Sequence, residues 1–226
     1  MSTMTLYTRF SDSQFLHIGT YCKLALDGET RYFQWNGHWI DLKPSTFEYY
    51  RDNDDTHFAE SSIEEVAVLV PEAFIAAGAL LDSLTAQSIA TAAHAGQIDK
   101  LGADYIEHPA RVAANFDAVT QSTEHCAAWL HDVIEDSTVT ARQLLDTGVP
   151  RAVVETVLLL SRNSAVPSDF YYDRIRDHAA ARAVKLADIA DNTAEWRTSQ
   201  LDPATRAKLA EKYTKARAAL EPRRKK

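Results

Sequence analysis

Leu130-His131-Asp132-Val133-Ile134-Glu135-Asp136 crowds one histidine and three acids into a single short stretch. Residues four apart share a helix face, so a helix over Ser122–Asp136 sets His131 above Glu135 and Asp132 above Asp136. Cys126, Trp129, Leu130, Val133 and Ile134 form an apolar stripe, and Ala127–Leu130 carry no charge, so this helix is expected to be largely buried. Buried carboxylates are costly unless paired, protonated or bound to a metal. Three acids and a histidine with no Lys or Arg among them point to a cation. Acids at a helix end facing water are the alternative that this segment alone leaves open.

Two more segments carry weaker signals. Lys185-Leu186-Ala187-Asp188-Ile189-Ala190-Asp191-Asn192 is an apolar helix with Lys185, Asp188 and Asn192 on one face. By itself this reads most simply as a salt bridge with a hydrogen-bonded Asn. In Tyr105-Ile106-Glu107-His108-Pro109 the proline is expected to hold His108 extended, which fixes its direction. A lone histidine is more often a hydrogen-bonded core residue than a ligand.

In combination these segments are specific. The order YIxHP, HDxxED, KLADxxxN resembles the hydrolase domain of the RelA/SpoT family of alarmone enzymes, especially its small stand-alone hydrolases. His94-Ala95-Gly96-Gln97 and Lys100-Leu101-Gly102 match as well. The resemblance covers about residues 84–198, roughly half the chain. It implies a helical HD-domain fold and a Mn²⁺ held by His108, His131, Asp132 and Asp188. Two imidazoles with two carboxylates would equally suit Fe²⁺, Co²⁺ or Zn²⁺. Glu135 and Asp136 match the family's catalytic acids. One is expected to orient or deprotonate the attacking water and the other to serve the leaving oxygen, and the sequence does not say which. Asn192 matches a position facing the nucleotide sugar. Lys100, Tyr105 and Lys185 complete the expected substrate contacts, although Lys185 is slightly favoured as the partner of an acid.

The implied reaction removes pyrophosphate from the 3′ oxygen of (p)ppGpp. One departure bears on the base. Asp99 stands where family members often carry an Arg that stacks on guanine, so guanine preference is in doubt and (p)ppApp becomes an alternative substrate. No residues resembling a synthetase domain follow, which implies hydrolysis alone. Competing readings are another HD phosphatase, acting on a nucleoside monophosphate or the 2′-phosphate of NADPH, and an antitoxin-like module that neutralises a nucleotide and has a toxin counterpart.

Composition sets the remaining bounds. Acidic residues exceed basic ones to give a net charge of −8 across 226 residues, which disfavours nucleic acid and anionic membranes as partners. A small anionic nucleotide stays compatible with that balance, because a bound metal reverses the local field. Residues 1–10 lack a signal-peptide pattern, and apolar runs such as Val66–Val70 are too short to span a bilayer. Cys22 and Cys126 read as two buried thiols in a reducing cytoplasm.

The expected fold is mainly α, with a small N-terminal antiparallel β meander. Residues 1–62 form the β-rich accessory region, 63–83 a connecting segment and 84–226 the hydrolase domain, its last helix ending near 220. Tyr21–Leu26, Thr30–Trp35 and His38–Leu42 read as strands joined at Asp27-Gly28 and Asn36-Gly37, both two-residue turn signals. Residues 44–62 read as a polar loop, and Ser62-x-x-Glu65 as a capping box. Val66–Val70 is undecided between helix and strand. Beyond residue 71 the pattern is helical, with Thr85–Gln97 and Ala180–Trp196 as helices. Caps or starts are expected at Thr140, Pro150, Ser168 and Asp202, and the basic tail 223–226 is expected to be solvated. The β region has three candidate roles, covering the pocket, forming an oligomer contact or binding a partner.

Overall fold

The computed structural model describes residues 3–11, 17–26, 29–52 and 56–222, in two compact units, 1–85 and 86–226. The Asp27-Gly28 turn, Asp54, Asp55 and the tail 223–226 lie outside the described residues.

Unit 1 holds a five-stranded antiparallel sheet rather than a three-stranded meander. The strands are β1 (Thr3–Ser11), β2 (His17–Leu26), β3 (Glu29–Trp35), β4 (Trp39–Leu42) and β5 (Thr56–Ser61), in the order β4-β3-β2-β1-β5. Period-two alternation gives this sheet two buried faces. Leu6, Cys22, Leu24 and Phe33 pack with Val66, Ala77 and Leu84 on one side. On the other, Tyr21 and Tyr32 meet Phe47 of helix α1 (Pro44–Arg51). Cys22 sits opposite both Leu6 and Phe33, which fixes the register of the three central strands.

The segment expected to be a loop is therefore α1 followed by β5. Pro44 supplies a preset φ at the helix start, and Phe47, with Tyr50 against Tyr21, anchors α1. β5 is an edge strand whose one aromatic, Phe58, packs on Tyr7, Tyr21 and Phe47, too sparse an apolar pattern for periodicity to reveal. Asn36-Gly37 does turn the chain, with Gly37 at φ 74°, but Trp35 pairs with Trp39 around a three-residue loop. Ser62 accepts the Glu65 N–H and Glu65 returns a carboxylate to the Ser62 N–H, so the capping box forms. It opens helix α2 (Ile63–Leu69), which settles the undecided Val66–Val70 as helical to Leu69.

Helix α3 (Pro71–Ala93) begins in unit 1 and ends in unit 2. Its mean hydropathy of 1.4 over an 18-residue window makes it, among the described residues, the one helix long and apolar enough to cross a membrane. No single apolar run in the sequence is that long, because Asp82, Ser83, Thr85, Gln87 and Ser88 interrupt this one. Ala73, Ala76, Ala77, Ala86 and Ala90 of this helix are buried. It ends four residues short of Gln97, and Gly96 beyond it takes φ 75°, a region costly for other residues.

Unit 2 is helical: α4 (Glu107–Ala113), α5 (Ser122–Leu130), α6 (Val133–Asp136), α7 (Ala141–Asp146), α8 (Arg151–Leu160), α9 (Ser168–Arg176), α10 (Ala179–Asn192), α11 (Glu195–Thr198) and α12 (Pro203–Ala219). Small residues Cys126, Ala127 and Ala128 let α5 pack closely against α4, α8 and α10. Val112, Leu130, Val133, Val157, Ile175 and Ile189 fill the core around it. Both cysteines are free and buried, as expected. Thr140 and Asp202 cap α7 and α12 as expected. Pro150 and Pro167 are the residues preceding α8 and α9, so Ser168 is a first helical residue and not a cap. The expected Ala180–Trp196 helix is two helices, broken after Asn192.

Candidate metal centre

The helix expected to run unbroken through Asp136 is interrupted at His131-Asp132. His131 ends α5 and Asp132 begins α6. The His131 Nδ1–H donates to the Ala128 carbonyl at 2.8 Å, satisfying an acceptor that a helix end leaves free. This hydrogen bond sets the tautomer and directs Nε2 the other way. The break also undoes the simple stacking of His131 over Glu135. Glu135 instead accepts the Arg162 N–H at 2.7 Å, and Asp136 lies 3.5 Å from the Tyr105 hydroxyl.

His108 is helical rather than extended, inside the first turn of α4. Pro109 is tolerated there because the N–H it lacks has no partner within the helix at that position. The His108 Nδ1–H donates to Asp191 Oδ2 at 2.7 Å, which leaves Nε2 free as a ligand. Arg111 clamps the same carboxylate, with Nε to Oδ1 at 2.7 Å and Nη2 to Oδ2 at 3.2 Å, and stacks over Trp196. Asp188, one turn up α10, accepts Asn192 Nδ2–H on Oδ1 and pairs Lys185 Nζ on Oδ2 at 2.8 Å. Lys185 thus has the acid partner expected for it.

Four ligand atoms converge. His108 Nε2 is 3.3 Å from Asp188 Oδ1 and 3.9 Å from Asp132 Oδ2. His131 Nε2 is 3.0 Å from Asp132 Oδ2 and 3.9 Å from Asp188 Oδ1. Bonds of about 2.1 Å to one ion place neighbouring donors roughly 3–3.5 Å apart, so this set closes on a divalent cation with little movement. His108, His131 and Asp188 are all buried, and any one of their donor atoms lies within 4.8 Å of the others. His131 Nε2 is buried and makes no hydrogen bond. A buried donor atom left without a partner, facing two carboxylates, fits a metal ligand.

The electrostatics agree. Burial works against the charged His131, but Asp132, Asp188 and the Ala128 carbonyl together outweigh it and lift the imidazole to about 9. Burial likewise opposes the Asp188 and Asp132 carboxylates; Lys185 pulls the first far below the usual range and His131 the second. Asp191 is brought down to about 2, against burial, by His108 and Arg111. Asp136 moves up through burial and the nearby Asp132 charge. Burial and Asp132 also raise Tyr105, whose hydroxyl donates to Asp132 Oδ2 at 2.6 Å. Packed carboxylates here hold protons on imidazoles nearby, and a cation among the four ligand atoms does the same work.

A cavity of about 760 Å³ opens over this floor. Lys100, Tyr105, His108, Asp132, Glu135, Asp136, Lys185, Asp188 and Asn192 line it, while His131 lies beneath at 2% exposure. The expected site residues are thus brought together. Asp99 is a loop staple: Oδ1 accepts the Leu101 and Ala103 N–H groups, and Oδ2 holds Arg197 Nη1 at 2.9 Å.

Several participants went unread in the sequence. Asp191 lies three residues after Asp188, and Arg111 three after His108, so helical spacing was the available signal. His94 Nδ1–H donates to Gln97 Oε1, and Gln97 Nε2 donates to the Asp136 carbonyl, tying the matched HAGQ segment to the acidic pair. No sequence pattern pointed to Arg162, Arg197 or Lys212.

No protein-family model matches the sequence, and no curated relative matches it. A solved structure does: a metazoan ortholog of SpoT, described as hydrolysing ppGpp and playing a role in starvation responses. It is 20% identical, with a TM-score of 0.52 over 62% of this chain and 85% of that one. Over the matched 62%, this chain has the fold of that SpoT-type HD-domain hydrolase.

Proposed function

We propose that this protein is a metal-dependent phosphohydrolase that removes the 3′-pyrophosphate of (p)ppGpp or (p)ppApp, in the cytoplasm. One observation carries the reading: His108 Nε2, His131 Nε2, Asp132 Oδ2 and Asp188 Oδ1 converge at 3.0–3.9 Å on the floor of a cavity that also holds Glu135 and Asp136. These four residues would hold the cation, with Mn²⁺ the first choice. When bound, such an ion polarises a phosphoryl oxygen and lowers the pKa of water at the site.

The chain's own groups supply the rest. Asp191 and the Ala128 carbonyl orient the two imidazoles through their Nδ1–H groups. Arg162 N–H pins Glu135 Oε2, which leaves Oε1 to orient water. Asp136, raised by burial and by Asp132, holds a proton and gives it to the departing 3′ oxygen. Water oxygen bonds to phosphorus, the bond from phosphorus to the 3′ oxygen breaks, and that oxygen takes a proton. GDP or GTP, or the adenosine counterpart, leaves with pyrophosphate.

Asp99 is fully engaged and offers nothing to a base, so purine identity is read by other groups. The test is a Mn²⁺-supplemented screen over guanosine and adenosine 3′-pyrophosphates, nucleoside monophosphates and NADPH. The reading expects turnover of the 3′-pyrophosphates well above the rest. Preferential release of orthophosphate from a monophosphate or NADPH would replace it with one of the other phosphatase activities.

A further inference from the structure

We propose that His94 is a positioning residue: its Nδ1–H fixes the Gln97 amide, and that amide fixes the place of Asp136 beside the metal floor. The inference rests on Asp136 serving as the acid of the proposed hydrolysis. Asp136 closes α6, a helix of four residues, and its carbonyl is one of the helix-end acceptors that no N–H within the helix reaches. One turn of helix does not hold its own shape, so the position of its last residue is set from outside. Gln97 Nε2 donates to that carbonyl at 2.9 Å across 39 residues of sequence. The Tyr105 hydroxyl, 3.5 Å from Asp136 Oδ2, is a second hold. Both holds belong to one loop, because the Gln97 carbonyl accepts the Tyr105 N–H at 3.0 Å.

His94 stands behind this loop. It follows the last residue of α3, is 2% exposed and lies outside the cavity lining. Its ring is 4.9 Å from the Tyr105 ring, and its Nδ1 is 2.9 Å from Gln97 Oε1. The Gln97 amide decides the tautomer. Its nitrogen faces the Asp136 carbonyl, which only accepts, so its oxygen faces His94 and the imidazole proton sits on Nδ1. Nε2 is then a bare acceptor, buried and without a hydrogen bond. A buried acceptor without a partner is costly. The arrangement forgoes a bond at Nε2 and keeps the one at Nδ1, which leads to Asp136. Without that bond the half-buried Gln97 side chain regains its rotamers, and the Asp136 main chain loses its outside anchor.

The test compares two amides at position 94 of the full-length protein. His94→Asn sets an N–H where the Nδ1–H stands, and His94→Gln sets its amide where Nε2 stands. With Mn²⁺ and the 3′-pyrophosphate that wild type turns over best, folded His94→Gln should lose about tenfold or more in kcat, the scale of a misplaced reacting group, with KM within about threefold. His94→Asn should stay within about threefold of wild type in kcat, the net worth of a weakened hydrogen bond. Gln97→Met should lose as much as His94→Gln, and the double variant no more than either alone, because one hold is removed twice. Mn²⁺ affinity should stay within about twofold, below the ten- to hundredfold change that losing a partner of a metal ligand brings. The proposal is overturned if His94→Gln keeps its kcat, if His94→Asn loses as much, if the losses multiply in the double variant, or if Mn²⁺ affinity falls in step with kcat. Nitrogen NMR of histidine-labelled protein reads the tautomer without turnover, the His94 signals being those absent from His94→Asn. A proton on Nδ1 and a bare Nε2 are expected, and a proton on Nε2 overturns the proposal whatever the kinetics. A wild type that hydrolyses no 3′-pyrophosphate but shows the Nδ1–H tautomer removes the hydrolase reading and keeps the hold on Asp136. Turnover with the proton on Nε2 keeps the hydrolase and removes the hold.

Discussion

Replacing Asp191 by Asn removes the charge against which the His108 imidazole is set. Asp191 Oδ2 accepts the His108 Nδ1–H at 2.7 Å, and Arg111 forks onto both oxygens, so the carboxylate is held from two sides. The bond to His108 raises the basicity of Nε2, the atom that faces Asp188 at 3.3 Å. A hydrogen bond to a charged group contributes about 1.5–3 kcal/mol, which converts to roughly ten- to a hundredfold in metal affinity. Competition against a fluorescent chelator measures this directly with Mn²⁺, for wild type, Asp191→Asn and Asp191→Ala. The same carboxylate carries a pH signature. Its pKa is depressed from 3.8 to about 2 by His108 and Arg111 acting against burial. A depressed carboxylate stabilises the fold above its unfolded value, and that stability is lost as pH falls through the folded value. For a side chain only 8% exposed, the depression is worth about 2 kcal/mol. Urea unfolding between pH 6 and pH 2 should therefore weaken more steeply for wild type than for Asp191→Asn. Unchanged metal affinity in both folded variants would make Asp191 a plain ion-pair partner of Arg111 with no hold on the metal site.

Other expectations follow from the same geometry. Glu135→Gln and Asp136→Asn should each cut kcat by about 10²–10⁴-fold while metal content, measured by elemental analysis, stays near wild type. Release of metal from Glu135→Gln would make Glu135 a ligand. His131→Ala should lose metal and activity together, since its Nε2 is one of the four converging atoms. Leu130→Ala empties a fully buried site beside His131 and should destabilise unit 2 by about 2–5 kcal/mol in chemical denaturation. A loss under 1 kcal/mol would mean the core around α5 collapses onto the cavity. Adding Mn²⁺ at about a hundred times its dissociation constant should stabilise the protein by about 2.7 kcal/mol, and Asp188→Ala should abolish most of that gain.

The chemistry of the site was legible because its groups lie close along the chain. His131, Asp132, Glu135 and Asp136 form one run, and Lys185, Asp188 and Asn192 share one helix face. Their mutual distances were not legible. They depend on the break at His131-Asp132, which no Gly or Pro announces, and on α4 and α10 both packing on α5. His108 was expected to be extended because proline restricts its predecessor, but the tolerance of a helix's first turn for proline won. Asp191 was passed over beside a stronger ligand candidate. Its role exists only because α10 brings it to His108, 83 residues away in sequence. In unit 1, β1 alternates Met4, Leu6 and Thr8 with Thr5, Tyr7 and Arg9, a pattern too polar to stand out from a loop. The second buried face of the sheet depends on Phe47, one aromatic in a polar segment. Burial there comes from tertiary contact and not from local pattern.

The proposed reaction is water attack at the phosphorus bonded to the 3′ oxygen, on a floor built by His108, His131, Asp132 and Asp188. Phosphorus NMR of guanosine and adenosine 3′-pyrophosphates, incubated with Mn²⁺ and the protein in ¹⁸O-labelled water, tests it most directly. Pyrophosphate should be the product, with one ¹⁸O in it and none on the nucleoside, and Asp188→Ala should give no reaction. Orthophosphate as the sole product, ¹⁸O on the ribose, or undiminished turnover by Asp188→Ala would contradict it.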